Sequence, residues 1–233
     1  MYIDVSFGDG PVVISVPHDG ATRVVGALQR AETLRWEREC GPDARDVGTW
    51  EVADACVKEL SELGISASRI ASALHRSHMD ANRAPGQEPF VDGFEATYHL
   101  FHHHLHEAIR RSVAVNGRCL VVDLHSFIAS PGPETYDFVL GSDGHRTCPG
   151  KSDLFVARVL KERYRVVFSP DSRLGVTGIY RGGWIVRSIA KEWNGQRVDA
   201  LQIEINRLLY PDVSSSEIAS FLARAIHCSL QDI

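Results

Sequence analysis

The sequence predicts an α/β fold: a mostly parallel or mixed central sheet flanked by helices, in a single domain over residues 1–233. Three observations lead there. Short apolar, β-branched runs alternate along the chain with segments of helical period, the pattern of a sheet carrying helices on its faces. The 233 residues are 44% hydrophobic, enough to build one full core. No internal repeat or low-complexity linker divides them.

In chain order, "PVVISV" (11–16) reads as a strand halted by Pro17, and "TWEVADACVKELSELG" (49–64) as an amphipathic helix stopped at Gly64. "SRIASAL" (68–74) and "SHMDA" (77–81) read as extended, "GFEATYHLFHHHLHEAIRRSVAV" (93–115) as a long helix, and "RCLVVDLHS" (118–126) as a buried strand. "YDFVLG" (136–141), "RVVFS" (165–169) and "VDALQIEIN" (198–206) are further strands. "KSDLFVARVLKERY" (151–164), "GGWIVRSIAKEW" (182–193) and "SSSEIASFLARAIHCSL" (214–230) complete the set as helices.

A formal net charge of −5 argues against a nucleic-acid partner, which calls for a basic face, and favours a small molecule. Five cysteines, odd in number and without CxxC spacing, indicate neither a disulfide framework nor a thiolate zinc site. The expected setting is a reducing cytoplasm. "MYIDVSFGDG" lacks a basic segment followed by an apolar one, and no run is long enough to cross a bilayer, so no membrane partner is expected.

Chemistry is expected where strong polar groups interrupt apolar strands. In "LVVDLHS", period two puts Asp123 and His125 on one face at the carboxyl end of a buried run, where ligands bind in open α/β sheets. "VVISVPH" ends likewise in His18. Each histidine could instead be a core or turn residue satisfied by a carbonyl. "LQIEINR" alternates Gln202, Glu204 and Asn206 with apolar residues. A buried carboxylate there needs a cation, a catalytic task, or a salt bridge to an arginine such as Arg207. In "HRSHMDANRAP" (75–85), Asn82 and Arg83 could hold a substrate carboxylate through the guanidinium fork, or Asp80 could simply pair with an arginine. The histidine run "LFHHHLHEAIRRS" (100–112) lies on a helix, with His99, His102, His103 and His106 on one face and His104 elsewhere. It lacks the HExxH arrangement and reads as a polar face or cleft rim. "DLHSF" offers Ser126 without a G-x-S-x-G elbow, and no Gly-rich phosphate loop is present.

Taken together, "SVPHDG", "RDVGT" (45–49), "HRSHMDANR" (75–83), "VVDLHS" (121–126), "FVLGSDGHRTC" (138–148), "RGGW" (181–184) and "LQIEINRLLY" (201–210) occur in the order seen in the N-formylglutamate amidohydrolase family, which the chain resembles over nearly its whole length. That family is similar in fold to the zinc carboxypeptidases and the phosphorylase/hydrolase-like proteins. The resemblance implies a zinc-dependent hydrolase of the amide bond of an N-acyl amino acid, with one Zn2+, or another divalent ion, per chain. His18 and His125 would be the histidine ligands. The carboxylate that zinc carboxypeptidases place three residues after the first histidine is here Ala21, so the ligand must come from elsewhere. Asp46 of "RDVGT" is the best match, ahead of Asp19, which suits a turn, and Glu51, which falls in a helix. Glu204 would be the general base, Arg76 the oxyanion donor, Asn82 and Arg83 the clamp for the α-carboxylate, and Asp123 a support behind His125.

The sequence departs from the family pattern at Thr177 and Ile179 in "TGIYRGG", and at His75, Ser77 and His78 in "HRSHMD". These changes point to an altered acyl or side-chain pocket. Alternatives are a metallocarboxypeptidase or a γ-glutamyl amide hydrolase on short peptides, and, of another class, a non-catalytic carboxylate-binding protein on the same fold.

Overall fold

The computed structural model describes residues 2–40, 43–128, 136–169 and 180–231. One seven-stranded sheet runs through them in the order β1-β3-β2-β4-β7-β5-β6. The strands are β1 (Ile3–Ser6), β2 (Val12–Val16), β3 (Ser68–Ser72), β4 (Cys119–Phe127), β5 (Phe138–Gly141), β6 (Val166–Ser169) and β7 (Val198–Asn206). The central four are parallel; β1 pairs antiparallel with β3 at one edge, and β5 antiparallel with β7. The helices are α1 (Ala31–Cys40), α2 (Thr49–Glu62), α3 (Glu95–Asn116), α4 (Ser152–Leu160), α5 (Trp184–Glu192) and α6 (Ser215–Gln231).

The pleat divides the strand residues between two cores. Ile14, Leu120, Val122, Leu124, Leu201 and Ile203 pack with α2, α4 and α6. Val13, Val121, Val198 and Ala200 face the opposite way and pack with α3 and α5. Both faces are covered, which is why the central strands read as continuous apolar runs rather than alternating ones. No helix among the described residues is long and apolar enough to cross a membrane.

The mixed sheet agrees with the predicted class, but one local expectation changes. "SHMDA" is a turn rather than a strand, keeping only the isolated bridge of Met79 to Phe90. Two elements carried no sequence prediction. β1 is four residues long at an edge, too short for alternation to register. α1, "AETLRWEREC", lacks an apolar stripe because its inward contacts are polar: Thr33 is fully buried beneath the Arg76 carbonyl, and the Trp36 ring carries a guanidinium.

Register sets the site. Along the α3/α5 face, Val121 pairs with Ala200, Asp123 with Gln202 and His125 with Glu204. The same face therefore changes from apolar to polar at the carboxyl ends of β4 and β7.

Candidate metal centre

His18 leaves β2 through Pro17, and the segment bearing Asp46 is tied back to it: the Asp46 N–H donates to the His18 carbonyl at 3.1 Å. The Asp46 carbonyl accepts from the backbone N–H and hydroxyl of Thr49 at 3.2 and 2.8 Å, anchoring it to the first turn of α2. Between them Gly48 adopts φ 91° with the Tyr210 ring against its Cα, a conformation and an approach that a side chain would oppose. Asp19 accepts the N–H groups of Gly48 and Trp50 at 3.1 and 2.9 Å, capping the helix, and Glu51 is exposed and meets Ser215. Asp46 is the carboxylate that reaches the histidines.

Both imidazoles turn Nδ1 to one oxygen of that carboxylate. His18 Nδ1 lies 3.3 Å and His125 Nδ1 2.8 Å from Asp46 Oδ2. Each Nε2 is held from behind, His18 by Asp80 Oδ1 at 2.6 Å and His125 by Asp123 Oδ2 at 3.0 Å. Among the described residues, His18, Asp46 and His125 form the only group of three or more such side chains able to hold a metal ion, with ligand atoms within 4.8 Å of one another. The donor set fits one: two imidazoles and a carboxylate is a known catalytic zinc set, and a carboxylate behind each imidazole fixes ring and tautomer.

Charge explains the closeness of these buried groups. Burial opposes charge on His125, yet Asp123 and Asp46 hold its pKa well above the usual imidazole range. Burial likewise disfavours the Asp46 anion, but the two imidazoles hold its carboxyl far below the usual range. Glu204 is raised to about 7, chiefly by burial, with His125 opposing the shift and Asp46 adding to it. Its Oε1 accepts from Gln202 Nε2 at 2.6 Å, and no salt bridge joins it to Arg207.

A cleft of about 400 Å³ opens over this centre, lined by His18, His125, Glu204, Arg76 and Asn82 among others. Arg76 donates from Nη2 to Asp80 at 2.8 Å and lies under Trp36, while its Nε is buried without a partner. Asn82 is buried; its Oδ1 accepts from the Ile185 N–H at 2.9 Å and its Nδ2 lies 3.1 Å from His125 Nε2. Arg83 reaches the cleft wall but forks onto Glu32 at 2.7 and 3.2 Å. The residues singled out from the sequence thus come together around one cavity.

Asp80 was the residue that sequence reasoning undervalued. It is fully buried and pairs at once with His18, Arg76 and Arg30. The polar trio His75, Ser77 and His78, expected to alter specificity, instead pins segment 22–30. His78 donates to the Leu28 carbonyl at 2.8 Å and accepts from the Val24 N–H at 3.1 Å, and the Ser77 carbonyl accepts from Arg30 N–H. His75 lies 3.0 Å from Arg23 Nη2. None of the three lines the cleft. Thr177 and Ile179, the other departures, lie outside the described residues. In the histidine run, His102 bonds the Ala81 carbonyl at 3.1 Å and His106 meets Trp193, so two of its members help pack α3 against the loop and α5.

The family model described as N-formylglutamate amidohydrolase matches residues 91–211. No match is found among curated proteins. A structure of N-formylglutamate amidohydrolase from Ralstonia eutropha JMP134 is similar at 21% identity and TM-score 0.68, covering 99% of this chain and 96% of that one. A gene product of Agrobacterium tumefaciens is similar at 18% identity and TM-score 0.63, covering 99% and 95%. At these identities the two structures speak for the fold.

Proposed function

The chain belongs to the N-formylglutamate amidohydrolase family, and from that premise we propose that it is a zinc-dependent amidohydrolase cleaving the amide bond of an N-acyl amino acid, N-formylglutamate or a relative. The observation that carries the reading is the convergence of His18 Nδ1, His125 Nδ1 and Asp46 beside Glu204 at the floor of one cleft.

His18, Asp46 and His125 would hold the ion. When bound, it supplies a water of pKa near ~7 and a Lewis acid for the scissile carbonyl. The remaining work falls to the chain's own groups. Glu204 Oε1 is engaged by Gln202, which leaves Oε2 to take the water proton and return it to the departing nitrogen. Burial raises this carboxylate's pKa above the usual range, which suits a group that both takes and returns a proton. Arg76 offers the unpartnered Nε–H, held in place by Asp80 and Trp36, to the oxyanion that develops on the carbonyl. Asn82 and Arg83 are assigned to the α-carboxylate, Arg83 sharing its fork with the half-buried Glu32. The products are the free acid of the acyl group and the amino acid.

The test is metal analysis of the purified protein together with a hydrolysis panel of N-acyl amino acids, N-formylglutamate first, and short peptides. Stoichiometric zinc with turnover of an N-acyl amino acid is expected. A protein that neither contains nor is stabilised by any divalent ion overturns the reading; selective cleavage of C-terminal peptide bonds replaces it with a carboxypeptidase.

A further inference from the structure

Resting on that reading, a substrate that brings free carboxylates into the cleft needs a cation there that the protein has not already neutralised. The other arginines around the cleft each already pair with a carboxylate of the protein, Arg76 and Arg83 keeping beside that pairing the roles assigned to them above. Arg30 binds Asp80 and Glu32, Arg76 binds Asp80, and Arg83 forks onto Glu32. Arg207 is different. It lines the same cleft, sits in the 3-10 turn Arg207–Leu209 directly after β7, and follows Glu204 by three residues. It forms no salt bridge among the described residues, and its Nε is buried without a hydrogen-bond partner. Glu204, the carboxylate closest along the strand, spends Oε1 on Gln202 instead. An unpaired, partly buried guanidinium is costly unless something else supplies the acceptor. A planar five-donor fork is matched by a carboxylate, which two parallel N–H bonds can grip in one orientation.

We propose that Arg207 is a specificity-determining residue that receives a carboxylate of the substrate, so that acidic N-acyl amino acids are selected over their amides. On an acidic amino acid that carboxylate is either the α-carboxylate or the side-chain one. The two sources share this chemistry and separate by experiment.

Wild type, Arg207→Gln and Arg207→Lys are assayed on N-formylglutamate, on its side-chain amide and on its α-amide, with metal content measured for each protein. Arg207→Gln is expected to lower kcat/KM on N-formylglutamate by about 100-fold, mainly through KM, at unchanged metal content. Arg207→Lys keeps the charge without the fork and recovers part of the loss. The penalty vanishes on one analogue alone: on the side-chain amide if Arg207 reads that carboxylate, on the α-amide if it reads the other. An equal penalty on all three substrates, or none on N-formylglutamate, overturns the proposal. Failure of the parent reading is seen separately, as wild type hydrolysing none of the panel. Calorimetric binding of glutarate then decides: weaker binding to Arg207→Gln than to wild type supports the assignment, and equal or absent binding overturns it.

Discussion

His18 and His125 face each other edge to plane, ring centroids 4.8 Å apart, and share a single carboxylate oxygen of Asp46 between their Nδ1 atoms. They come from the ends of neighbouring parallel strands, β2 and β4, so the sheet itself sets their separation. A metal ion held as proposed would depend on both rings. His125→Ala is expected to lose bound zinc, and to lose the rise in Tm that zinc addition gives the wild type after chelation. His103→Gln, on the exposed side of α3, should keep both. Full zinc occupancy in His125→Ala would show the ligand assignment to be wrong.

Glu204 lies opposite His125 in the β4/β7 register, and Glu204→Gln keeps its shape and its bond from Gln202 while removing the proposed base. Zinc content should be unchanged and kcat reduced by at least about 100-fold. The pH profile follows with a definite sign. In the proposed role Glu204 works as the anion, and burial, outweighing the pull of His125, raises its pKa to about 7. In the metal-bound enzyme the cation favours the anion further, so activity should fall along an acid limb that lies below pH 7. A kcat/KM profile from pH 5 to 9 with no acid limb, or near-normal turnover in Glu204→Gln, removes Glu204 from the role.

Asp80 anchors the opposite wall. Its carboxyl is held well below the usual range, since His18, Arg76 and Arg30 together outweigh the cost of burial. Asp80→Asn leaves two buried guanidiniums poorly compensated and should cost about 3–5 kcal/mol in urea unfolding. Glu162→Gln, which breaks an exposed pair with Arg224, should cost less than about 1 kcal/mol. The linkage sign is that of a depressed acid. The Asp80 contribution is complete above its unfolded pKa near 3.8 and is lost as pH falls through the lower folded value. Acid unfolding of Asp80→Asn should accordingly show a shallower pH dependence than wild type; identical slopes would assign the acid sensitivity elsewhere.

What was legible in the sequence is what strand periodicity encodes. Asp123 and His125 stood out because they share the face of an apolar run, and Gln202 and Glu204 because they repeat that arrangement on the strand that proves to be its neighbour. Asp80's pairing with an arginine was legible, since Arg76 lies four residues before it, but its bonds to His18 and Arg30 and the whole of α1 were not, for a common reason. Their interactions are polar and long-range, joining Arg30, Thr33 and Trp36 to residues 40 or more positions away, and a local pattern of hydrophobicity carries no trace of such pairs. The conspicuous histidine run misdirects for the converse reason. Side chains one turn apart on a helix share a face without sharing a ligand, whereas His18 and His125 meet only through the sheet.

Gly183 joins the two walls of the site. Its N–H donates to Gln202 Oε1, whose amide in turn donates to Glu204, and a methyl group at its Cα would fall on the Asn82 side chain. Asn82 cannot yield freely, because it accepts the Ile185 N–H at the start of α5 and stands against His125. Gly183→Ala must therefore displace Asn82, the Gln202 contact, or both. The backbone at Gly183 is extended, φ −73°, so conformation does not forbid alanine and the effect isolates this close approach. Overpacking of this kind should cost about 1–3 kcal/mol of stability. Because the displaced groups contact His125 and Glu204 rather than belong to the proposed ligand set, zinc should remain bound while kcat falls at least about 10-fold. Wild-type kcat in a Gly183→Ala protein of reduced stability would show that Asn82 and Gln202 pack the cleft wall without positioning its chemistry.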